Sequence, residues 1–164
     1  REGLNSSYHQ LRELLSTFRL RIEGADLGMA LAETTAEFAE RGHLPIELNM
    51  GIGNLNLNPN EEIHLLQITR EALSNIIKHA EASHAWVKLQ LQHDDTLQLS
   101  IQDDGIGIQE SALTHHYGMA IMNERARALH GTLEHLPREG GGTHVKFSAP
   151  LHHHFSEVRI SHVA

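Results

Sequence analysis

The chain contains no cysteine. That excludes a disulfide framework, a thiolate metal site and a cysteine nucleophile, and it fits a reducing compartment. Aromatic residues are 4% of the 164, with one Trp and two Tyr, so the core must rest on Leu, Ile, Val, Ala and the four Phe. Basic residues are scarce: 13 Lys and Arg face 21 Asp and Glu, giving a formal net charge of −8 with His neutral. A nucleic-acid binder carries a basic patch, which makes DNA and RNA poor candidate partners. No apolar run is long enough to span a membrane, and no signal-peptide pattern opens the sequence. Also missing are the phosphate-binding G-x-x-x-x-G-K-[ST] loop, a strand followed by G-x-G-x-x-G, a serine nucleophile elbow and H-E-x-x-H.

What is present suffices for one domain, or one domain with a helical appendage. Hydrophobic residues are 40% of the chain, and a chain of this length buries about two-thirds of its unfolded surface. Its first residue is Arg1 rather than Met, as expected of a piece of a longer protein. Histidine is abundant at 15, three of them consecutive at His152-His153-His154. These lie in a polar tail that could pick up adventitious metal but lacks the spaced carboxylate or cysteine partners of a built site.

Periodicity predicts the elements. Leu4, Tyr8, Leu11, Leu15, Phe18 and Ile22 recur in steps of three and four and define an amphipathic helix, with Leu14 broadening the stripe as bundle contacts require. Asp26 is a candidate cap for a second helix over 27–40, stopped by Gly42. Alternation predicts a strand over 44–50. Asn58-Pro59 signals the start of a third helix, running to Ala80, with Glu61 and Glu62 suited to its first turn. Strands follow over 85–91 and 96–102 around an Asp94-Asp95 turn. Residues 103–117 read as loop and lid. A helix over 119–130 closes on Gly131 at its C′ position, and a last hairpin, 132–136 with 143–149, turns at Gly140-Gly141-Gly142. Consecutive hairpins point to a mixed, mostly antiparallel sheet with helices on one face, an α/β two-layer sandwich of the α+β class.

Two stretches carry most of the chemistry. Glu71, Asn75, Lys78 and His79 share one face of the third helix, away from the Ile68/Ala72/Ile76 row. Asn75 offers a hard oxygen ligand for Mg²⁺, which keeps its other positions for water and phosphate oxygens. Glu71, one turn earlier, could accept a proton or hold a metal-bound water, and Lys78 and His79 could offset phosphate charge. Asp103, at the end of a strand, can accept a hydrogen bond from the exocyclic amine of adenine. Gly105 and Gly107 permit backbone angles and close approach that side chains forbid. In His116-Tyr117-Gly118-Met119, Gly118 is read as the junction where a helix N-terminus meets phosphate, below a lid over 109–117. Thr143, after the glycine turn, could touch the base. Each feature alone also fits a plain structural role: a solvated helix face, an acidic turn, a glycine at a helix start, a hairpin turn.

As an ordered set these motifs, over roughly residues 60–150, resemble the catalytic ATP-binding domain of sensor histidine kinases, within the gyrase/heat-shock/kinase/mismatch-repair ATPase superfamily. The asparagine box is Glu71, Asn75, Lys78 and His79. The first glycine box is Asp103, Gly105 and Gly107, the second Gly118, and the terminal block Gly142 and Thr143. Arg70-Glu71-Ala72-Leu73-Ser74-Asn75, His116-Tyr117-Gly118-Met119 and Gln10-Leu11-Arg12-Glu13-Leu14-Leu15-Ser16-Thr17-Phe18-Arg19-Leu20 are similar to the nitrate/nitrite-sensor branch.

The resemblance implies a Bergerat-type ATP-binding fold using ATP and Mg²⁺. Asn75 is then the Mg²⁺ ligand, Asp103 the reader of the adenine amine and Glu71 the catalytic residue that assists proton transfer. ATP contacts extend to Lys78, His79, Gly105, Gly107, Tyr117, Gly118, Met119, Gly142 and Thr143. It implies residues 1–23 as the end of a dimerisation helix, 24–150 as the ATP-binding domain and 151–164 as a tail. The parent is expected to be a homodimer in the bacterial inner membrane with this domain on the cytoplasmic side, passing phosphate to a response regulator. One departure matters: no histidine beside an acidic residue precedes the first helix, so the acceptor histidine is expected upstream of Arg1. A serine kinase of the anti-sigma-factor type and a non-catalytic interaction domain are the alternatives.

Overall fold

The computed structural model describes residues 2–22, 24, 26–52, 55, 57–107 and 113–151. The consecutive histidines at 152–154 lie outside them. Four helices and five strands follow in the order α1 (Glu2–Ile22), α2 (Leu27–Gly42), β1 (Ile46–Met50), α3 (Pro59–Asn75), β2 (Ala85–Leu91), β3 (Thr96–Asp103), α4 (Leu113–Ala128), β4 (Thr132–Pro137) and β5 (Thr143–Pro150), with one wide π-turn over Ile76–Ala80 after α3.

The strands form one sheet in the order β1-β2-β3-β5-β4. β1 pairs with β2 in parallel and every other pair is antiparallel, so the sheet is mixed and mostly antiparallel as expected. Alternation sorts its two faces. Val87, Leu89, Leu97, Leu99, Ile101, Val145, Phe147 and Ala149 point into the core. Lys88, Gln90, Gln98, Gln102, Lys146 and Ser148 alternate with them on the other side. Against the inner face pack Leu65, Ile68, Ala72 and Ile76 of the third helix and its wide turn, with Leu31 and Phe38 of α2 and Met122 and Ala126 of α4. Leu151, one residue past the expected domain boundary, also belongs to this core and donates its N–H to Asp95 O.

Local signals explain the helix starts. Asp26 Oδ1 accepts from Met29 N at 2.8 Å. Asn58 and Glu61 form a reciprocal capping box around Pro59, Oδ1 of Asn58 accepting from Glu61 N at 2.8 Å and Oε1 of Glu61 from Asn58 N at 3.2 Å; both orphan donors of the first turn are thereby satisfied. The helix ends differ from expectation. α2 stops in a Schellman motif whose left-handed residue is His43, φ 49°, and α4 in one whose left-handed residue is His130, φ 55°. The neighbouring glycines, Gly42 and Gly131, serve close packing instead. A Cβ on Gly42 would sit 2.7 Å from Ile77 Cγ1, and one on Gly131 would sit 2.5 Å from Phe147 Cε2 and 2.7 Å from Ser148 O. Histidine tolerates the left-handed region better than most side chains, so the glycine is free to stand where contact demands it. Two boundaries also move: β1 starts at Ile46, two residues after Leu44, and α4 starts at Leu113 rather than 119.

α1 inverts the usual amphipathic arrangement. Its apolar stripe is turned to solvent, with Tyr8 71%, Leu11 54%, Leu15 60% and Phe18 44% exposed. Its docked face is polar. Glu13 and Thr17 are buried, at 4% and 0% exposed. Gln67 Nε2 of α3 donates to Thr17 Oγ1 at 3.1 Å, and Arg70 Nε of α3 donates to Glu13 Oε2 in a short ion pair. Arg70, itself 1% exposed, also donates from Nη1 to Glu37 Oε2 of α2 at 2.7 Å and lies 5.1 Å from the Phe38 ring centre. One guanidinium thus joins three helices. Burial pushes the Glu37 carboxyl up, but the hydrogen bond and charge of Arg70 outweigh it and hold it below its ordinary value. Removing one partner of a buried pair strands the other charge, whereas replacing both with apolar groups is close to neutral. Arg70→Ala is therefore expected to lower unfolding stability by about 3–5 kcal/mol in urea titrations, with the double change Glu13→Leu, Arg70→Met recovering most of the loss.

Candidate active site

The sheet and the α3–α4 layer enclose a cleft that opens to solvent on one side. Its floor is apolar: Ala72, Ile76 and Ala80 from the third helix and its wide turn, Ile101 from β3, Val145 from β5 and Met122 from α4. Asn75, His79, Asp103, Gly107, His135 and Thr143 supply its polar groups. Five of the expected residues (Asn75, His79, Asp103, Gly107 and Thr143) therefore meet in one cavity. His135 and Met122 did not emerge from sequence reasoning. The four-residue spacing of the buried pair Met122 and Ala126 was a readable signal for the latter.

The third helix does not stay α to its end. After Asn75 the chain takes a π-turn through Ile76–Ala80, and Glu81 leaves it in the left-handed region at φ 51°. A π-turn adds a residue to the turn and is frequent at functional sites. Its effect here is to place Asn75 and His79 in the cleft while Lys78 is exposed. The four asparagine-box residues thus do not form a single α-helical face.

The two adjacent aspartates divide the labour. Asp104 is an anchor: Oδ1 accepts from Ser83 N at 2.8 Å and His84 N at 2.9 Å, and Oδ2 accepts from the Ser83 hydroxyl at 2.7 Å. Those bonds, led by the Ser83 hydroxyl, pull its carboxyl down to about 2. Asp103 is 2% exposed and faces the cleft. Burial raises its pKa, opposed by backbone N–H donation from Gly105, 2.8 Å from Oδ1, and from Thr143. A buried carboxylate with acceptor capacity left over is suited to an amine brought in by a ligand.

The glycines make this packing possible. A Cβ on Gly105 would lie 2.1 Å from Ala80 O, and one on Gly142 would lie 1.9 Å from Asp103 O. Gly142, at φ +99°, could not be replaced without strain in any case, and Gly107 stands at φ +85° with only an ordinary contact, Gly142 O at 3.9 Å, where a Cβ would go. Ile106 N–H donates to Ala80 O at 2.8 Å, so the loop after Asp103 is stitched to the wide turn.

Gly118 is not where the sequence placed it. It lies inside α4, five residues past Leu113, so it does not offer a helix N-terminus to phosphate. It packs against the third helix, and a Cβ there would lie 2.6 Å from Glu71 Oε1 and 3.5 Å from Asn75 Nδ2. Glu71 stands one turn before Asn75, outside the lining of the cleft, with its side chain 14% exposed. Met119 packs against the core. Tyr117 lies on α4 with its side chain outside the described residues, and residues 109–112 of the expected lid lie outside them too.

Comparison with known proteins agrees with this geometry. The family of histidine kinase-, DNA gyrase B-, and HSP90-like ATPases matches residues 60–153. The chain is 42% identical over 146 residues to the nitrate/nitrite sensor protein NarX of Escherichia coli K12, and 43% identical over 148 residues to the nitrate/nitrite sensor protein NarQ of the same strain. These matches cover 88% and 90% of this chain but 24% and 26% of those proteins, so the chain spans about a quarter of the length of the curated relatives it matches. Among solved structures, the blue-light activated histidine kinase EL346 of Erythrobacter litoralis superposes with a TM-score of 0.71 at 21% identity, over 92% of this chain and 50% of that one. The ATP binding domain of PrrB from Mycobacterium tuberculosis superposes at 0.59 with 18% identity, over 77% of this chain and 94% of that one. At these identities the superpositions establish the fold. With its family matched over more than half its length, this chain belongs to the histidine kinase-, DNA gyrase B-, and HSP90-like ATPases.

Proposed function

We propose that this chain is the ATP-binding catalytic part of a nitrate/nitrite-type sensor histidine kinase. The observation that carries the reading is Asp103, a buried acceptor at the floor of an apolar slot. Such a slot takes a flat base, and Asp103 accepts the hydrogen bond of its exocyclic amine, which favours adenine. Gly107 leaves the backbone bare at the edge of the slot and Gly105 and Gly142 let the chain pack close behind it, with Thr143 beside the base and Met119 and Tyr117 on the helix that covers the cleft. Asn75 and His79 mark the phosphate end, with Lys78 at its outer edge.

The residues present suit Mg²⁺ in that position. Among the described residues no group of three or more His, Cys, Asp or Glu could hold a metal ion. Mg²⁺ needs no such cage, because it takes phosphate oxygens and waters alongside one or two protein oxygens. Asn75 would hold it through the amide carbonyl. Bound there, Mg²⁺ would neutralise phosphate charge, the main requirement of phosphoryl transfer.

In this reading an imidazole nitrogen of an acceptor histidine outside this chain attacks the γ-phosphorus. The bond from that phosphorus to the bridging oxygen breaks, and ADP leaves. Glu71 takes up the proton lost by the imidazole. A response regulator then receives the phosphoryl group. The parent is a homodimer, anchored in the inner membrane with this domain in the cytoplasm. The solvent-facing stripe Tyr8, Leu11, Leu15 and Phe18 supports assignment of α1 to the end of a dimerisation bundle, and so supports a histidine over a serine acceptor. Acid-labile phosphate on the acceptor is the corresponding observation.

Calorimetric titration with a non-hydrolysable ATP analogue tests the site. Asp103→Asn is expected to weaken binding about 10- to 100-fold, the equivalent of one charge-assisted hydrogen bond. Asn75→Ala or chelation of Mg²⁺ should remove the metal-dependent part of the affinity. Unchanged binding in both variants would overturn the proposal. A third variant separates binding from transfer. In Gly118→Ala the new Cβ meets first the side-chain ends of Glu71 and Asn75 rather than backbone, and alanine favours a helix interior by about 1 kcal/mol. Thermal stability is expected to hold or rise while phosphoryl transfer falls through displacement of Glu71.

A further inference from the structure

The polar seam between α1 and α3 continues past the buried ion pair to the site itself. His9, Glu13 and Thr17 are spaced by four and share one face of α1. Opposite them stand Glu71, Arg70 and Gln67 of α3, in antiparallel order. The Glu13–Arg70 and Thr17–Gln67 contacts set the register, and one turn further on they bring His9 Nε2 to 3.5 Å from Glu71 Oε2. That nitrogen is enclosed and makes no hydrogen bond, so the carboxylate is the group it faces. Closing the gap by about half an ångström would turn the pair into a hydrogen bond. The other oxygen of the same carboxylate fills the space left by the missing Cβ of Gly118. Glu71 is thus held between two elements: α4 shapes one oxygen and α1 supplies a partner for the other.

We infer that His9 is a positioning residue for Glu71, so that α1 is a working part of the catalytic site and not only a connection to a dimerisation bundle. The inference rests on the kinase reading above, in which Glu71 receives the proton of the acceptor imidazole. A carboxylate in that role must hold one orientation as the acceptor arrives. An imidazole N–H directed at Oε2 favours this, leaving the rest of the carboxylate to meet the acceptor. His9 does not line the nucleotide cleft, so it should affect transfer without affecting ATP affinity.

Autophosphorylation by the intact kinase dimer carrying this chain tests the inference, with binding of the ATP analogue measured alongside. His9→Ala is expected to lower kcat about 10- to 100-fold, the scale of a misplaced catalytic group, with KM for ATP and analogue affinity unchanged. In a Glu71→Gln background the same change should add no further loss, because a residue acting through Glu71 has nothing left to act on. His9→Gln, which keeps an N–H donor within reach, should restore most of the rate. An unchanged or faster kcat in His9→Ala, or an equal further loss in the Glu71→Gln background, would overturn the positioning role. Absence of analogue binding by the unaltered kinase would overturn the kinase reading, and this inference with it, and is separately visible.

Discussion

The Arg70 guanidinium is the constraint on which the helical layer depends. It is almost fully enclosed, and its counter-charges come from two other helices, Glu13 of α1 and Glu37 of α2. Ionic pairs in a protein interior gain little net free energy over apolar packing, but they tolerate few alternative arrangements. The consequence is register. Arg70 precedes Glu71 and lies five residues before Asn75, so the bonds that fix its side chain also fix the rotation of the helix that presents the site. An apolar contact of the same area would hold α1 close without deciding which of its faces points inward. Here the outward apolar stripe would compete for burial, and the buried charges prevent the helix from rolling over.

Below that layer the site is organised by strand register and glycine. Asp103 pairs with Thr143 across β3 and β5, so the buried carboxylate of the cleft and the threonine beside it are opposite ends of one ladder rung. Gly142 precedes that rung, and Gly105 follows Asp103 by two residues. Each brings the backbone to a distance no side chain would allow. The pocket is therefore defined as much by carbonyl-to-backbone packing as by its lining side chains. Asp104 ties the same loop to the chain after the wide turn through Ser83 and His84. The loop after Asp103 and the wide turn after Asn75 are thus connected by a few short contacts.

Much of this was legible in the sequence, for identifiable reasons. Alternation in 85–91 and 96–102 could only place Val87, Leu89, Leu97, Leu99 and Ile101 on one face. Asn58-Pro59 with Glu61 could only begin a helix. The motif order brought Asn75 and Asp103 to one cavity across a span no local rule connects. What escaped was of another kind. A π-turn has no signature in 3.6-residue periodicity, so the face shared by Asn75, Lys78 and His79 was drawn too simply. Gly42, Gly118 and Gly131 were given local backbone roles, whereas their reasons are tertiary: Ile77, Glu71 and Phe147 occupy the space where a Cβ would go. The polar docking of α1 was hidden because periodicity reveals which face is apolar, not which face is covered.

The wide turn after Asn75 has a further implication, for variation in length. A π-turn is equivalent to one residue inserted into an α-helix. Removing a single residue from 76–80 would let the helix run on regularly with its backbone hydrogen bonds intact. Residues beyond the lost one would keep nearly their original faces, because a π-turn takes up its extra residue locally. Ala80, whose carbonyl receives the loop after Asp103, would stay close to that loop. Length in this segment can therefore vary by one residue among proteins of this architecture while the loop stays stitched to the helix end.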